Sequence, residues 1–317
     1  MDVFHQLVSA IAVIVILYAL ALLMRRRGVL AEEHSMILAR MVTDLFLPAI
    51  VFVTLAGKSI KLNQLAPAGV MLGLELSAIA LAWTVSALLR FDRGQRGAIV
   101  FCSAFGSSTF LGYLLIAEMY PNSPEAMTEA VLISEIGVGY TIFILGPILA
   151  TYFGSGTSDS KVPWSASLSF FKSPVFFALV IGLLWGVLGL PGEDNAFLSP
   201  LFRVCHVLAA ALTPVAILSV GLMFRLPSVR SILVPLGIVI LIKLLLKPLA
   251  AGLFASLLGF PELWKDVLIL LAAMPPAVLG PVFLRRYGGD ASSASTLLLV
   301  ATLASCLSVF VVFSAVG

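Results

Sequence analysis

Eight ionisable side chains stand inside long apolar stretches of this chain: Asp44, Glu75, Glu118, Glu129, Glu135, His206, Lys243 and Lys247. A charge at hydrocarbon depth costs about 2.5–3.5 kcal/mol on insertion scales, so each such residue needs a partner or a task. Glu118 and Glu129 fall near segment ends, where solvated carboxylates are expected. His206, one or two turns into its segment, reads as hydrogen-bonded packing. Glu75 and Lys243 each stand eight residues beyond a proline, Pro67 and Pro235. That is about 12 Å along a helix, enough for both to approach a bilayer midplane from opposite faces. Two chemistries fit them. One is a structural Glu75–Lys243 salt bridge. In the other, Lys243, with Lys247 one turn on, attracts an anion while Glu75 or Glu135 takes up a proton. Asp44, one turn before Pro48, fits either a coupling carboxylate or an interhelical hydrogen bond.

Helix breakers stand beside these charges. Residues 271–280 read LAAMPPAVLG, with Pro275 and Pro276 adjacent in an apolar run, and residues 105–112 read FGSSTFLG. Each proline removes a backbone donor and clashes with the preceding turn. Non-helical backbone at membrane depth survives only when buried in protein or lining a wet cavity. If the two breaks cross, Gly106, Ser107, Ser108, Thr109, Pro275 and Pro276 bring helix N-termini and small hydroxyls to one place, which suits a carboxylate. A simple kink is the alternative for either break alone. The amides of Asn63, Asn122, Asn195, Gln6, Gln64 and Gln95 all fall in loops or at termini, so a sodium cage built from amides is not available; hydroxyls, carbonyls and carboxylates leave sodium open beside protons. Three cysteines and three histidines, all scattered, point to no metal, disulfide or cofactor.

The elements that must position these groups follow from composition. The chain is 61% hydrophobic and 11% charged, against about 25% charged in a soluble domain. Apolar blocks long enough to cross a hydrocarbon layer of about 30 Å mark a polytopic membrane protein. Polar breaks divide the chain into ten spans, near 3–24, 35–56, 66–90, 95–119, 126–152, 174–190, 198–222, 231–258, 262–284 and 291–316. The fold class expected is all-α integral membrane. Its basic residues are at segment ends and do not suggest nucleic acid. With both termini outside, inner loops and helix ends collect thirteen of the Lys and Arg residues and outer ones four, as the positive-inside rule requires. A Gly/Ser-rich stretch at 153–173 reads as a cytoplasmic linker between a first five-helix repeat, 1–152, and a second, 174–317. Pro48 and Pro214, Pro67 and Pro235, Glu75 and Lys243, and the two breaks recur 166 to 169 residues apart. Because five is odd, the second copy enters from the opposite face, as in inverted-repeat carriers.

At LFLPAIVFVTLA, STFLGYLL, TPVAILSVGLMF, KLLLKPLA and, above all, MPPAVLGPVFLRRYGGDASSASTLLLVATLASCLS, the chain resembles the auxin efflux carrier family in its compact bacterial form. The resemblance covers most of the sequence. It implies a ten-helix fold akin to bile-acid/sodium symporters, with broken helices 4 and 9 crossing. It further implies scaffold helices 1, 2, 6 and 7 and moving transport helices 3–5 and 8–10. Members export or exchange organic anions such as auxin or small dicarboxylates without ATP. Ser107 stands where the family has a substrate-facing asparagine, and Leu114 where it has a proline after FLG. The expectation is a secondary carrier in the cytoplasmic membrane, surrounded by lipid and moving a small organic anion, with protons or sodium as coupling ion and a homodimer left open. A sodium-coupled symporter of bile-acid-like or keto-acid anions, a passive channel and an intramembrane hydrolase are the rival readings.

Overall fold

The computed structural model describes residues 3–56, 62–154, 169–222 and 233–316. Over these residues the chain is helical throughout, and the β-type pairing is confined to an isolated bridge between Gly106 and Pro276. Helices are what a lipid-embedded chain requires, because every backbone N–H and C=O is satisfied within the segment. Five of them are long and apolar enough to cross a membrane: His34–Leu55, Asn63–Leu88, Pro124–Gly154, Ser199–Ser219 and Leu233–Leu257. Most of the linker expected at 153–173 lies outside the described residues.

In chain order the helices are α1 (Val3–Arg26), α2 (His34–Leu55), α3 (Ala66–Leu88), α4 (Arg93–Ala104), α5 (Ser108–Met119), α6 (Pro124–Gly154), α7 (Pro174–Val187), α8 (Ser199–Leu222), α9 (Leu233–Leu257), α10 (Glu262–Ala272), α11 (Leu279–Arg286) and α12 (Ala291–Val316). Local chemistry sets several of these ends. The Asp92 carboxylate accepts from the Gln95 N–H at 2.9 Å and opens α4; the Ser173 hydroxyl accepts from the Phe176 N–H at 3.2 Å and opens α7. Pro67 and Pro174 sit in first turns, where a missing donor leaves nothing unsatisfied. Gly259, at φ +65°, closes α9 in the left-handed conformation that a side chain resists. Four segments widen into π geometry: Val42–Phe46, Ser108–Gly112, Ile133–Gly139 and Ile240–Leu246. Such segments concentrate at functional sites.

The chain divides into two units. The first comprises Met1–Gln64, Tyr113–Val131 and Ser169–Phe224. Its helices α2, α7 and α8 meet at Phe52, Trp185 and Phe202, with Phe52 and Trp185 edge to face at 5.5 Å. Arg25 donates to the Leu222 carbonyl at 3.1 Å and Ser219 to the Ser35 carbonyl at 2.8 Å, tying α1 and α2 to α8. Ile181, Leu184 and Val187 of α7 remain exposed, an apolar face suited to lipid.

The second unit comprises Leu65–Gly112, Leu132–Leu168 and Arg225–Gly317. Phe101 and Phe105 of α4 and its end, Val239 and Ile242 of α9, Leu284 of α11 and Leu297 of α12 form one buried core. The π segment of α6 lies close against α3: a Cβ at Gly137 would come within 2.8 Å of the Met71 Cβ. This unit holds both helix interruptions.

Candidate functional site: two interrupted helices and a buried charge cluster

α4 stops at Ala104 and α5 starts at Ser108; α10 stops at Ala272 and α11 starts at Leu279. The chain between each pair is extended enough to hydrogen-bond to the other. The Ser107 N–H donates to the Pro275 carbonyl at 2.8 Å, and the Ala277 N–H donates to the Phe105 carbonyl at 2.9 Å. This exchange makes the antiparallel bridge between Gly106 and Pro276. Its donors are the N–H groups of Ser107 and Ala277, so it requires none from Pro275 or Pro276, which have none. Every residue of 101–108 and 271–278 is buried. The structure therefore brings Gly106, Ser107, Pro275 and Pro276 together, with Ser108 and Thr109 opening α5 beside them.

Both lysines come from α9. Lys247 Nζ stands 2.6 Å from Glu75 Oε1 and donates at 2.8 Å to the carbonyl of Ala104, the last residue of α4. Lys243 Nζ donates at 3.4 Å to the carbonyl of Ala272, the last residue of α10. The final carbonyls of a helix lack intrahelical donors and carry the negative end of its dipole. Each lysine therefore caps one half-helix. Lys243 also lies against Gly106, where a Cβ would come 2.6 Å from its Nζ and 3.4 Å from its Cε. Glycine at 106 leaves room for the lysine tip beside the crossing.

The salt bridge from Glu75 thus goes to Lys247, not to Lys243 as the spacing suggests. Lys243 and Lys247 lie one turn apart on α9, within and just after a π segment over Ile240–Leu246, so spacing alone does not choose between them. Glu75 and Lys243 are both fully buried, and Lys247 is 4% exposed.

Hydroxyls and a third carboxylate complete the polar interior. Thr109 Oγ1 donates to Glu135 Oε1 at 3.2 Å, joining the opening turn of α5 to the π segment of α6. The hydroxyls of Ser103, Ser107, Ser108 and Ser134, and Glu75 Oε2, are buried with no hydrogen-bond partner among the described residues. A buried polar group left unmet costs about 1–3 kcal/mol, so several in one region indicate a place where further hydrogen-bonding atoms belong.

The remaining candidates fall elsewhere. Asp44 is exposed on the first unit, on the π segment of α2, and accepts from Thr43 Oγ1 at 3.1 Å. Glu118 is exposed. His206, expected to be packed inside its span, is exposed and pairs with Glu193 at 3.0 Å at the rim of a first-unit cavity of about 640 Å³ that Thr54 and Tyr113 also line. Glu129, expected to be solvated, is fully buried. Sequence reasoning did not find the Ala104 and Ala272 carbonyls, since main-chain acceptors leave no mark in residue type. Nor did it single out Ser134, although its place next to Glu135 was a signal. Among the described residues no group of three or more His, Cys, Asp or Glu side chains is placed to hold a metal ion.

Comparisons with known proteins accord with this geometry. The model of a family described as membrane transport protein matches residues 6–313. A protein of Methanothermobacter thermautotrophicus called an uncharacterized transporter is 26% identical over 299 residues, covering 93% of each chain. Another so called, from Methanocaldococcus jannaschii, is 23% identical over 306 residues, 94% of this chain and 95% of its own. A Rhizobium meliloti protein, whose name assigns it provisionally to malonate transport, is 33% identical over 124 residues, 37% of this chain and 39% of its own.

Proposed function

Because the chain belongs to the membrane transport protein family, that of the auxin efflux carriers, we propose that it is a secondary carrier moving a small organic anion across the cytoplasmic membrane by alternating access. The reading takes the chain as ten spans in two inverted five-helix repeats, with both ends outside. In this reading the second unit stands for the transport helices and the first for the scaffold, although residues 113–131, expected in transport helices 4 and 5, group with the first unit. A short mono- or dicarboxylate is the substrate class, in keeping with the malonate assignment of one relative.

The observation that carries this reading is the buried, hydrogen-bonded crossing of two interrupted helices with a lysine on the end of each preceding half. Lys247 pairs there with the Glu75 carboxylate, and the buried Lys243 makes no salt bridge among the described residues. An organic carboxylate would meet the amine of Lys243 beside Gly106. The unpartnered hydroxyls of Ser107, Ser108 and Ser134 offer donors to that carboxylate's oxygens. Thr109 and Glu135 would border the same pocket, with Glu135 as a coupling carboxylate. Glu75, held by Lys247, has instead the role of fixed counter-charge.

The same caps bear on the coupling ion. In many sodium-coupled carriers the C-terminal ends of half-helices ligate the cation. Here those carbonyls accept from Lys243 and Lys247, which favours exchange or proton coupling over sodium coupling. The test is counterflow of labelled malonate and a panel of short carboxylates in proteoliposomes, with sodium replaced by choline. Uptake driven by internal unlabelled acid, unchanged in choline, is the expected result. Absence of counterflow for every acid in the panel would refute the anion-carrier reading; dependence on sodium would refute the assignment of the lysines.

A further inference from the structure

Glu129 lies outside this crossing, on the first turns of α6, and the counter-charged cluster makes no use of it. Its side chain is fully buried. Oε1 accepts from Gln64 Nε2 at 3.0 Å, and Oε2 has no hydrogen-bond partner among the described residues. Among the described residues no lysine, arginine or histidine is within ion-pair distance of it. Glu125, of the same sign, stands one turn earlier on the same helix. Glu75, by contrast, has a lysine at 2.6 Å. A fully buried carboxylate with one neutral donor and, among the described residues, no cation bears a desolvation cost.

The position adds a second argument. The chain passes from the first unit to the second between Gln64 and Leu65, and again between Val131 and Leu132. The Gln64–Glu129 hydrogen bond joins these two passages on the first unit's side, between residues 65 positions apart. Immediately beyond the second passage α6 widens into the π segment that carries Ser134 and Glu135.

The geometry points to Glu129 as a proton-binding site, with Gln64 as its sensor, at the junction where α3 and α6 leave the first unit. The step is uptake of one proton from water by Oε2, converting carboxylate to carboxyl, with no other bond made or broken. In the neutral form Oε1 still accepts from Gln64 and the apolar surroundings are tolerated. In the ionised form the side chain needs water or a cation, so the two protonation states favour different arrangements of the junction. Protonation is thereby linked to the conformational cycle rather than to substrate contact.

Infrared difference spectra of the purified full chain, taken between acidic and alkaline buffer, test this directly. A carboxyl C=O band is expected that Glu129→Gln removes and Glu125→Gln leaves. Gln64→Leu, which deletes the donor, should shift the frequency of that band. Glu129→Gln should also flatten the pH profile of counterflow while leaving the binding of labelled acid and the melting temperature near those of the parent. Glu129→Asp keeps the carboxyl and should restore part of the pH dependence. A titrating band that persists unchanged in Glu129→Gln would overturn the proposal. The spectra need no substrate, so failure of every organic acid to be carried would count against the proposed function alone.

Discussion

At the scale of single residues, Lys247 holds more of the buried charge than Lys243. It compensates Glu75 at 2.6 Å and at the same time caps Ala104. Lys247→Met would leave a fully buried carboxylate without its cation, a loss of about 3–5 kcal/mol for breaking a buried pair. A lower melting temperature in detergent is expected, with most of it regained in Lys247→Met/Glu75→Gln, where neither charge remains. Equal melting of parent and single variant would remove the pair from the stability argument. That buried acids and amines would have to meet was legible in the sequence, because apolar spans admit few of either. Which lysine would meet Glu75 was not, because Lys243 and Lys247 stand one turn apart on one helix and residue spacing does not separate them. Glu129 was hidden for another reason: what covers it includes Gln64, far away in sequence.

At the scale of elements, Pro275 and Pro276 give the clearest case of a break written into residue type. They interrupt α10 and α11 where buried backbone must find partners outside a helix, and it finds them on the FGSST break. Replacing both by alanine supplies two N–H groups and removes the clash that stops helix continuation. Either the new donors stay unmet in a buried bridge, at about 1–3 kcal/mol each, or residues 273–278 wind into helix and lose the bond from the Ala277 N–H to Phe105. Both routes damage the crossing. Pro275→Ala/Pro276→Ala is therefore expected to abolish malonate counterflow while the circular dichroism signal stays as helical as the parent's or becomes slightly more so. Parental counterflow rates in this variant would mean that the break has no part in transport. The two breaks could be matched from sequence because Pro–Pro and Gly–Ser–Ser–Thr are strong punctuation. The lysine caps could not, since a helix end that takes its donor from a third helix carries no local signature.

At the scale of the whole molecule, the distribution of charge leads to an expected orientation that the helices alone leave open. Lys and Arg cluster at one set of loops and helix ends, including Arg25–Arg27, Arg40, Arg90, Arg93 and Arg96, while the turn after α7 carries Glu193 and Asp194. Positive residues in short loops are retained on the cytoplasmic side, and acidic ones exert little influence. On that rule the turn between α1 and α2 is expected inside and the α7–α8 turn outside. Single cysteines at Glu33 and at Asp194, both on the first unit, separate the alternatives in a chain whose Cys102, Cys205 and Cys306 are replaced by serine. Glu33 is exposed, as is Asp194. In intact cells a membrane-impermeant maleimide should label Asp194→Cys at once and Glu33→Cys only after permeabilisation. The opposite pattern would invert the orientation, turning the cavity beside Glu193, Asp194 and His206 toward the cytoplasm. Its acidic rim would then meet the anion on the side where basic residues are expected to gather, and the electrostatic case for the present orientation would fail with it.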